Sequence, residues 1–321
     1  MKPSLLNIGG SYFAGRVLVE EMLKTDDYNL FVLNRGNRPL NLEGVTEWKA
    51  DRNDAKALRR VLPDEHWAGV IDFCGYSPQA VETLLSALGP GSVTHYIFIS
   101  SAAVYTSGRD LPLTENAPLL ATSEPQSGLA DEAGINKGRA EAVAGKMCRA
   151  NGTAWTVLRP APIYGRYNYA PRESYFFDLL KKEEPVVIPK NNLALSQFLL
   201  VDDLTRVLRC CLRDEFTRNT VFNVAAPDLI TYDRFIAALE EVTGDRVPVV
   251  PMDLEQINAR GIPLPFPVDR HTIISSEKLI RALNIEYTGF TEGLRRTWEW
   301  FNSASAGECL RDGSGFKSCS G

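Results

Sequence analysis

Residues 4–15 read Ser-Leu-Leu-Asn-Ile-Gly-Gly-Ser-Tyr-Phe-Ala-Gly, and no other stretch of the chain restricts the fold as tightly. A short apolar run stops at Gly9 and Gly10, Gly15 follows, and an amphipathic stretch over 16–23 begins at once. That order predicts a strand, a glycine turn and a helix. A glycine at the strand end escapes the steric penalty on positive φ, and one inside the first helical turn lets helix and strand pack closely. Backbone N–H groups at the helix start are then left to face an anion such as a pyrophosphate.

The rest of the chain extends the pattern. Strand-like runs at 5–8, 30–33, 46–49, 69–73, 95–100 and 155–158 alternate with helical runs at 15–24, 54–61, 77–88 and 136–151. Such alternation predicts an α/β fold, a doubly wound parallel (Rossmann) sheet covered on both faces. Residues 101–136 are rich in Pro, Ser, Thr, Gly and Ala and follow the fifth strand, where doubly wound sheets place ligands. After Gly165 the alternation breaks down: strands at 198–201 and 221–224 are expected to return to the first sheet, and helices at 232–242 and 291–301 follow. The expected organisation is a first domain of residues 1–165 plus 197–229, and a smaller interleaved C-terminal substrate lobe of 166–196 plus 230–302. The Ser/Gly-rich tail, 303–321, is expected to be disordered.

Composition narrows the function classes. The 321 residues are 44% hydrophobic and carry a formal net charge of −5, which argues against a dedicated nucleic-acid binder. No apolar run reaches membrane-spanning length, and Met1-Lys2-Pro3 leads straight into the first strand, so a cytoplasmic protein is expected. The six cysteines include no Cys-x-x-Cys pair and the three histidines have no ligand partners at suitable spacing, so no metal site is expected.

Several separated segments carry a resemblance. They are the glycine turn, Asp51-Arg52, Ser100-Ser101-Ala102-Ala103-Val104-Tyr105, Gly134-Ile135-Asn136-Lys137, Leu158-Arg159-Pro160-Ala161-Pro162-Ile163-Tyr164-Gly165, and Phe198-Leu199-Leu200-Val201-Asp202-Asp203. In this order the chain resembles the extended short-chain dehydrogenase/reductases, the NAD-dependent epimerase/dehydratase family. Gly9-Gly10-x-x-Phe13-x-Gly15 and Asn34-Arg35-Gly36 are closer to an atypical branch that includes chloroplast stem-loop-binding proteins. The resemblance implies cofactor contacts from Gly9, Gly10, Tyr12, Phe13, Gly15, Asp51, Arg52, Phe73, Cys74, Gly75, Ser100, Pro160 and Ile163, with Tyr12 at the family's middle glycine. It implies Ser101 as the catalytic Ser/Thr and Lys137 as the lysine on the nicotinamide ribose.

The end of the second strand, Leu33-Asn34-Arg35-Gly36-Asn37-Arg38, has no carboxylate and two arginines, so NAD(P) is expected with a lean towards NADP. The family's acid/base tyrosine, four residues before the lysine, falls on Ala133. Three readings stay open: Tyr105, Tyr76, Tyr164 or Glu132 takes over, the reaction needs little acid help, or the protein binds dinucleotide without turnover. Tyr76, Tyr164, Arg166, Arg172 and Gln197 are the candidate substrate contacts. The leading expectation is an NAD(P)-dependent oxidoreductase, epimerase or dehydratase acting on a sugar-like or other secondary-alcohol small molecule. A non-catalytic NAD(P)-binding regulator or scaffold is the alternative, with RNA binding behind it. A homodimer through a helix pair is a further expectation.

Overall fold

A computed structural model describes residues 2–107, 110–123, 129–170, 172–264, 266, 268, 271 and 273–303. The expected tail lies outside the described residues from 304 on. The chain forms two units. The first comprises Met1–Ile163, Gln197–Pro227 and Thr272–Tyr287, and the second Tyr164–Ser196, Asp228–His271 and the residues from Thr288 on. The stretch 272–287, expected in the smaller lobe, thus clusters with the first unit.

The elements run β1 (Ser4–Ile8), α1 (Phe13–Thr25), β2 (Asn29–Asn34), β3 (Val45–Lys49), α2 (Ala55–Val61), β4 (Trp67–Asp72), α3 (Pro78–Leu88) and β5 (His95–Ile99). Then come α4 (Leu129–Asn151), β6 (Ala154–Pro160), β7 (Ile163–Tyr164), α5 (Glu173–Lys181), β8 (Val186–Pro189), β9 (Leu199–Leu200), α6 (Val201–Arg213) and β10 (Thr220–Val224). Finally α7 (Tyr232–Thr243), β11 (Val249–Met252), α8 (Leu254–Ala259), α9 (Glu277–Leu283) and α10 (Phe290–Asn302) complete the order.

Seven strands form one sheet in the order β10-β6-β5-β4-β1-β2-β3, with every pairing parallel. Parallel strands need crossovers, and the helices supply them on both faces, which is why β1 and β5 are buried along their whole length. On one face Leu6, Ile8, Trp67, Val70, Tyr96 and Phe98 pack with Leu84 of α3 and Ala140 and Ala144 of α4. On the other, α1 packs against α6.

Two local expectations are corrected. Residues 198–201 do not return to the seven-stranded sheet: β9 lies outside it, Leu199 N donates to the Pro162 carbonyl (3.0 Å), and Val201 already opens α6. Asp202 and Asp203 in that first turn complement the positive helix end and favour the helix over a longer strand. Helix α4 starts at Leu129 rather than 136, so Lys137 lies well inside it. Gly134 interrupts a run of good helix formers, and the helix rests there on the backbone after β5: a Cβ at 134 would meet the Ala103 carbonyl oxygen at 2.2 Å.

In the second unit, Phe176 of α5 meets Phe235 of α7 edge to face, Phe235 meets Phe290 of α10 at a tilt, and Phe177 packs on Trp298 and Phe301 of α10. Strands β8 and β11 form a separate parallel pair. Among the described residues no helix is long and apolar enough to cross a membrane.

Candidate functional site

The order of the sheet reverses between β1 and β4, and a crevice outside the carboxyl ends of strands at such a point is where doubly wound folds bind ligands. The glycine turn leaves β1 there. Gly9 has φ +89°, a conformation that a side chain would strain, and its N–H donates to the Leu33 carbonyl at 2.9 Å. A Cβ on Gly15 would lie 2.3 Å from the Gly9 carbonyl oxygen and 2.9 Å from Gly10 Cα, so the turn and the first turn of α1 touch backbone to backbone. Gly10 abuts the Val32 side chain.

Tyr12 precedes the helix in an extended conformation (φ −147°, ψ 151°) that any residue adopts, so the middle position tolerates a side chain. Phe13, the first helical residue, has φ 43°, a costly value outside glycine that concentrates at binding turns.

Four strand ends complete the surroundings. After β2, Arg35 is exposed, while the Arg38 guanidinium lies 4.3 Å from the centre of the Tyr12 ring. Asn34 is held by Glu47 of β3, whose Oε1 accepts from Asn34 Nδ2 at 2.6 Å. Glu47 is a carboxylate beside the end of β2 that the linear sequence hides, because it belongs to the next strand. After β3, Asp51 is exposed and accepts from Asn53 N (2.9 Å). Arg52 turns away from it into the core. Its two terminal nitrogens bond both oxygens of Asp72 at 2.5 and 2.8 Å, and it also donates to the Ala80 carbonyl (3.0 Å). The expected cofactor contact from Arg52 therefore becomes a support beneath the crevice.

At the end of β4, Asp72 is fully buried and also accepts from Tyr96 Oη (2.6 Å) and Cys74 N (2.9 Å). Burial pushes its carboxyl up, but the Arg52 guanidinium, the Tyr96 hydroxyl and the Lys137 charge outweigh that and hold it below the usual Asp value. Phe73 N donates to the Ile8 carbonyl (3.1 Å), and Cys74 Sγ fills the space beside Gly9, 2.2 Å from where a Cβ would stand. Gly75 packs over the Phe98 ring, and Tyr76 is exposed.

Lys137 reaches back from α4 and donates to the Ile99 carbonyl at 2.8 Å. Its ammonium lies 4.8 Å from the centre of the Tyr76 ring and 4.9 Å from that of Phe98. Burial pushes its pKa down to about 8 despite the opposing charge of Asp72. Just past β5, Ser101 Oγ accepts from Ala103 N (3.1 Å) and remains partly exposed. Ser100 is 5% exposed, and its Oγ has no hydrogen-bond partner among the described residues. Pro160 is buried and Ile163 partly so; Ala133 and Glu132 are exposed on α4.

Two candidates turn out to be committed to the framework. The buried Tyr105 hydroxyl donates to Asn223 Oδ1 (2.6 Å) and accepts from Arg159 Nη1 (2.9 Å), while Arg159 forms a forked ion pair with Glu141. Burial also raises the Tyr105 pKa, against the influence of Arg159. The Tyr105 hydroxyl is thus engaged on both sides by the framework. Gln197 spends its amide on the Ala226 carbonyl (3.1 Å) and Ile274 N (2.8 Å), so it fastens 273–287 to the first unit rather than facing a substrate.

In the second unit, Tyr164 is buried and its hydroxyl donates to the Phe290 carbonyl (3.3 Å). Arg166 and Arg172 are partly buried around a loop that Glu173 organises by accepting from Gly165 N (2.8 Å) and Asn168 Nδ2 (3.1 Å).

The residues present fit a nicotinamide dinucleotide. The glycines let the β1–α1 turn close backbone to backbone at the start of α1, cations stand after β2 and on α4, and the buried Ser100 Oγ has no partner among the described residues. A family model described as NAD dependent epimerase/dehydratase family matches residues 6–225. Chloroplast stem-loop binding protein of 41 kDa b from Arabidopsis thaliana is 27% identical over 297 residues, covering 87% of this chain and 74% of its own length. Among solved structures, UDP-glucose 4-epimerase of Thermotoga maritima with UDP-glucose superposes with a TM-score of 0.76 at 21% identity, covering 93% of this chain and 98% of that one. A dTDP-glucose 4,6-dehydratase from Bacillus anthracis in complex with NAD superposes with a TM-score of 0.75 at 18% identity, covering 95% and 98%. The likeness of fold, the glycine cradle at the sheet reversal and the match over residues 6–225 together make this chain a member of the NAD-dependent epimerase/dehydratase family.

Proposed function

We propose that the chain is an NAD(P)-dependent enzyme of the oxidoreductase, epimerase or dehydratase type, acting on a sugar-like or other secondary-alcohol small molecule. The observation that carries this reading is the backbone contact of Gly15 with Gly9 at the reversal of the sheet, a cradle built for a diphosphate. When bound, the nicotinamide supplies hydride exchange.

The chain's own residues hold and orient. The N–H groups at the start of α1 receive phosphate oxygens, and Asp51 accepts from the adenine amino group. Lys137, anchored on the Ile99 carbonyl, offers its remaining N–H donors to a ribose hydroxyl. Ser101 hydrogen-bonds the substrate oxygen, with Pro160 and Ile163 flanking the nicotinamide. Arg35 and Arg38 favour NADP(H) through a ribose 2′-phosphate. In the second unit Arg166 and Arg172 are the proposed anion contacts. The unbridged thiols of Cys74, Cys148, Cys210 and Cys211 suit a reducing, cytoplasmic compartment.

The acid/base is atypical in this reading. Ala133 carries no proton, and the hydroxyls of Tyr105 and Tyr164 are engaged internally, so Tyr76 and Glu132 remain. That same engagement favours a second reading, a dinucleotide-binding protein without turnover. Titration with NADH and NADPH, followed by nicotinamide fluorescence, tests binding, and incubation of UDP-glucose and a panel of alcohols with NAD+ or NADP+, followed by product analysis, tests turnover. Binding of neither overturns both readings. Binding with conversion of UDP-glucose, or of any alcohol in a broad panel, selects the first, and binding without conversion selects the second.

A further inference from the structure

One carboxylate on β3 fastens both ends of the loop that follows β2. Glu47 Oε1 accepts from Asn34 Nδ2 at 2.6 Å, and its two oxygens accept from Leu40 N at 3.1 and 3.2 Å. Asn34 tightens the near end again, accepting from Gly36 N at 2.7 Å. Leu40 anchors the far end, being 2% exposed. Between these two fastenings stand Arg35, which is exposed, and Arg38, which stacks on Tyr12 at 4.3 Å. Tyr12 itself belongs to the turn between β1 and α1, so the loop is tied to the diphosphate cradle as well as to β3.

An acidic side chain at the end of the second strand ordinarily bonds the ribose 2′-hydroxyl and selects against a 2′-phosphate. Glu47 stands beside that place, on β3, yet its oxygens already serve Asn34 and Leu40, and the groups left outward are guanidiniums. A loop held in one shape loses less freedom when a ligand arrives, so its cations bind more tightly than the same cations on a loose loop.

We infer that Glu47 is a positioning residue for dinucleotide selection: by clasping residues 34–40 it presents Arg35 and Arg38 as a preformed site for a ribose 2′-phosphate. This rests on the dinucleotide-binding reading above. The chemistry is that of a phosphomonoester on a ribose, recognised by forked guanidinium hydrogen bonds.

The experiment titrates the full chain with NADPH and with NADH, for wild type, Glu47→Ala, Glu47→Gln and Arg38→Leu, and follows tryptic cleavage of each. Trypsin cuts after Arg35 but is blocked at Arg38 by Pro39, so the Arg35 cut reports on how firmly the loop is held. Wild type is expected to prefer NADPH. Glu47→Ala should weaken NADPH by about tenfold, leave NADH within about threefold, and speed the Arg35 cut. Glu47→Gln keeps an acceptor oxygen and the same size, and should stay near wild type in both readouts. Arg38→Leu should lose NADPH affinity and, with Glu47 still holding both ends of the loop, speed the Arg35 cut less than Glu47→Ala does.

A wild-type preference for NADH, a Glu47→Ala protein with an unchanged NADPH-to-NADH ratio, or a gain in NADPH affinity in either Glu47 variant would overturn the inference. The last result would make Glu47 a repelling charge instead of a clasp. Binding of neither dinucleotide by wild type would instead remove the functional reading beneath it. In that case the proteolysis arm still decides whether Glu47 holds the loop.

Discussion

Arg52 and Asp72 meet as a forked pair in the interior of the first unit, with both guanidinium ends on both carboxylate oxygens. They are 8% and 0% exposed, so neither charge has water to fall back on. Removing one partner of such a pair strands the other. Asp72→Asn should cost about 3–5 kcal/mol of stability, measured by denaturant unfolding. The carboxyl is held below its ordinary value, so the unfolded chain binds the proton more readily. The contribution is therefore complete above the ordinary Asp pKa of about 3.9 and is lost as pH falls through the lower folded value. Acid unfolding of Asp72→Asn should lack that component.

Lys137 predicts the opposite end of the pH scale. Its folded pKa of about 8 lies below the ordinary lysine value, so protonation opposes folding. Stability from this group is fully present above the unfolded value of about 10.4 and is lost as pH falls through about 8. Wild type should gain stability between those limits, and Lys137→Met should flatten that rise in thermal melts recorded across the range.

Gly15→Ala tests the cradle. The added methyl would press on the Gly9 carbonyl oxygen and Gly10 Cα, which are backbone atoms and cannot swing aside. The turn must open to admit it. A loss of about 1–3 kcal/mol in melting experiments is expected, together with at least about tenfold weaker binding in NADPH titrations.

Tyr105→Phe separates framework from chemistry. It removes the donor to Asn223 and leaves Arg159 Nη1 with one acceptor fewer, in a buried setting. Stability should fall by about 1–3 kcal/mol while the affinity for dinucleotide holds, as read from the same two measurements. A loss of binding without a loss of stability would return Tyr105 to the ligand site.

The parts of this molecule that the linear sequence displays are those with local causes. The glycine turn, the βα alternation and the helix carrying Lys137 all follow from short-range patterns that repeat within a few residues. The parts it conceals depend on partners far along the chain. Asp51 and Arg52 are neighbours with opposite destinations, since Arg52 finds a carboxylate 20 residues on while Asp51 stays in water. Glu47 looks like a surface strand residue until the register places it opposite Val32, two residues from the end of β2. Tyr105 has the right spacing for a site residue, but its hydroxyl bonds Asn223, 118 positions away. Residue spacing cannot reveal such pairings, because they come from the order of strands in the sheet.

The return of residues 273–287 to the first unit governs how the protein is made. Gln197 holds Ile274, Ser276 Oγ accepts from Ala225 N at 2.7 Å, and Arg206 donates to the Glu286 carbonyl at 2.6 Å. A nascent chain that has cleared the ribosome through its tenth strand still lacks these pieces. Until residues 273–287 have been made, the first unit lacks the packing of α9 on β10, so its completion falls late in synthesis.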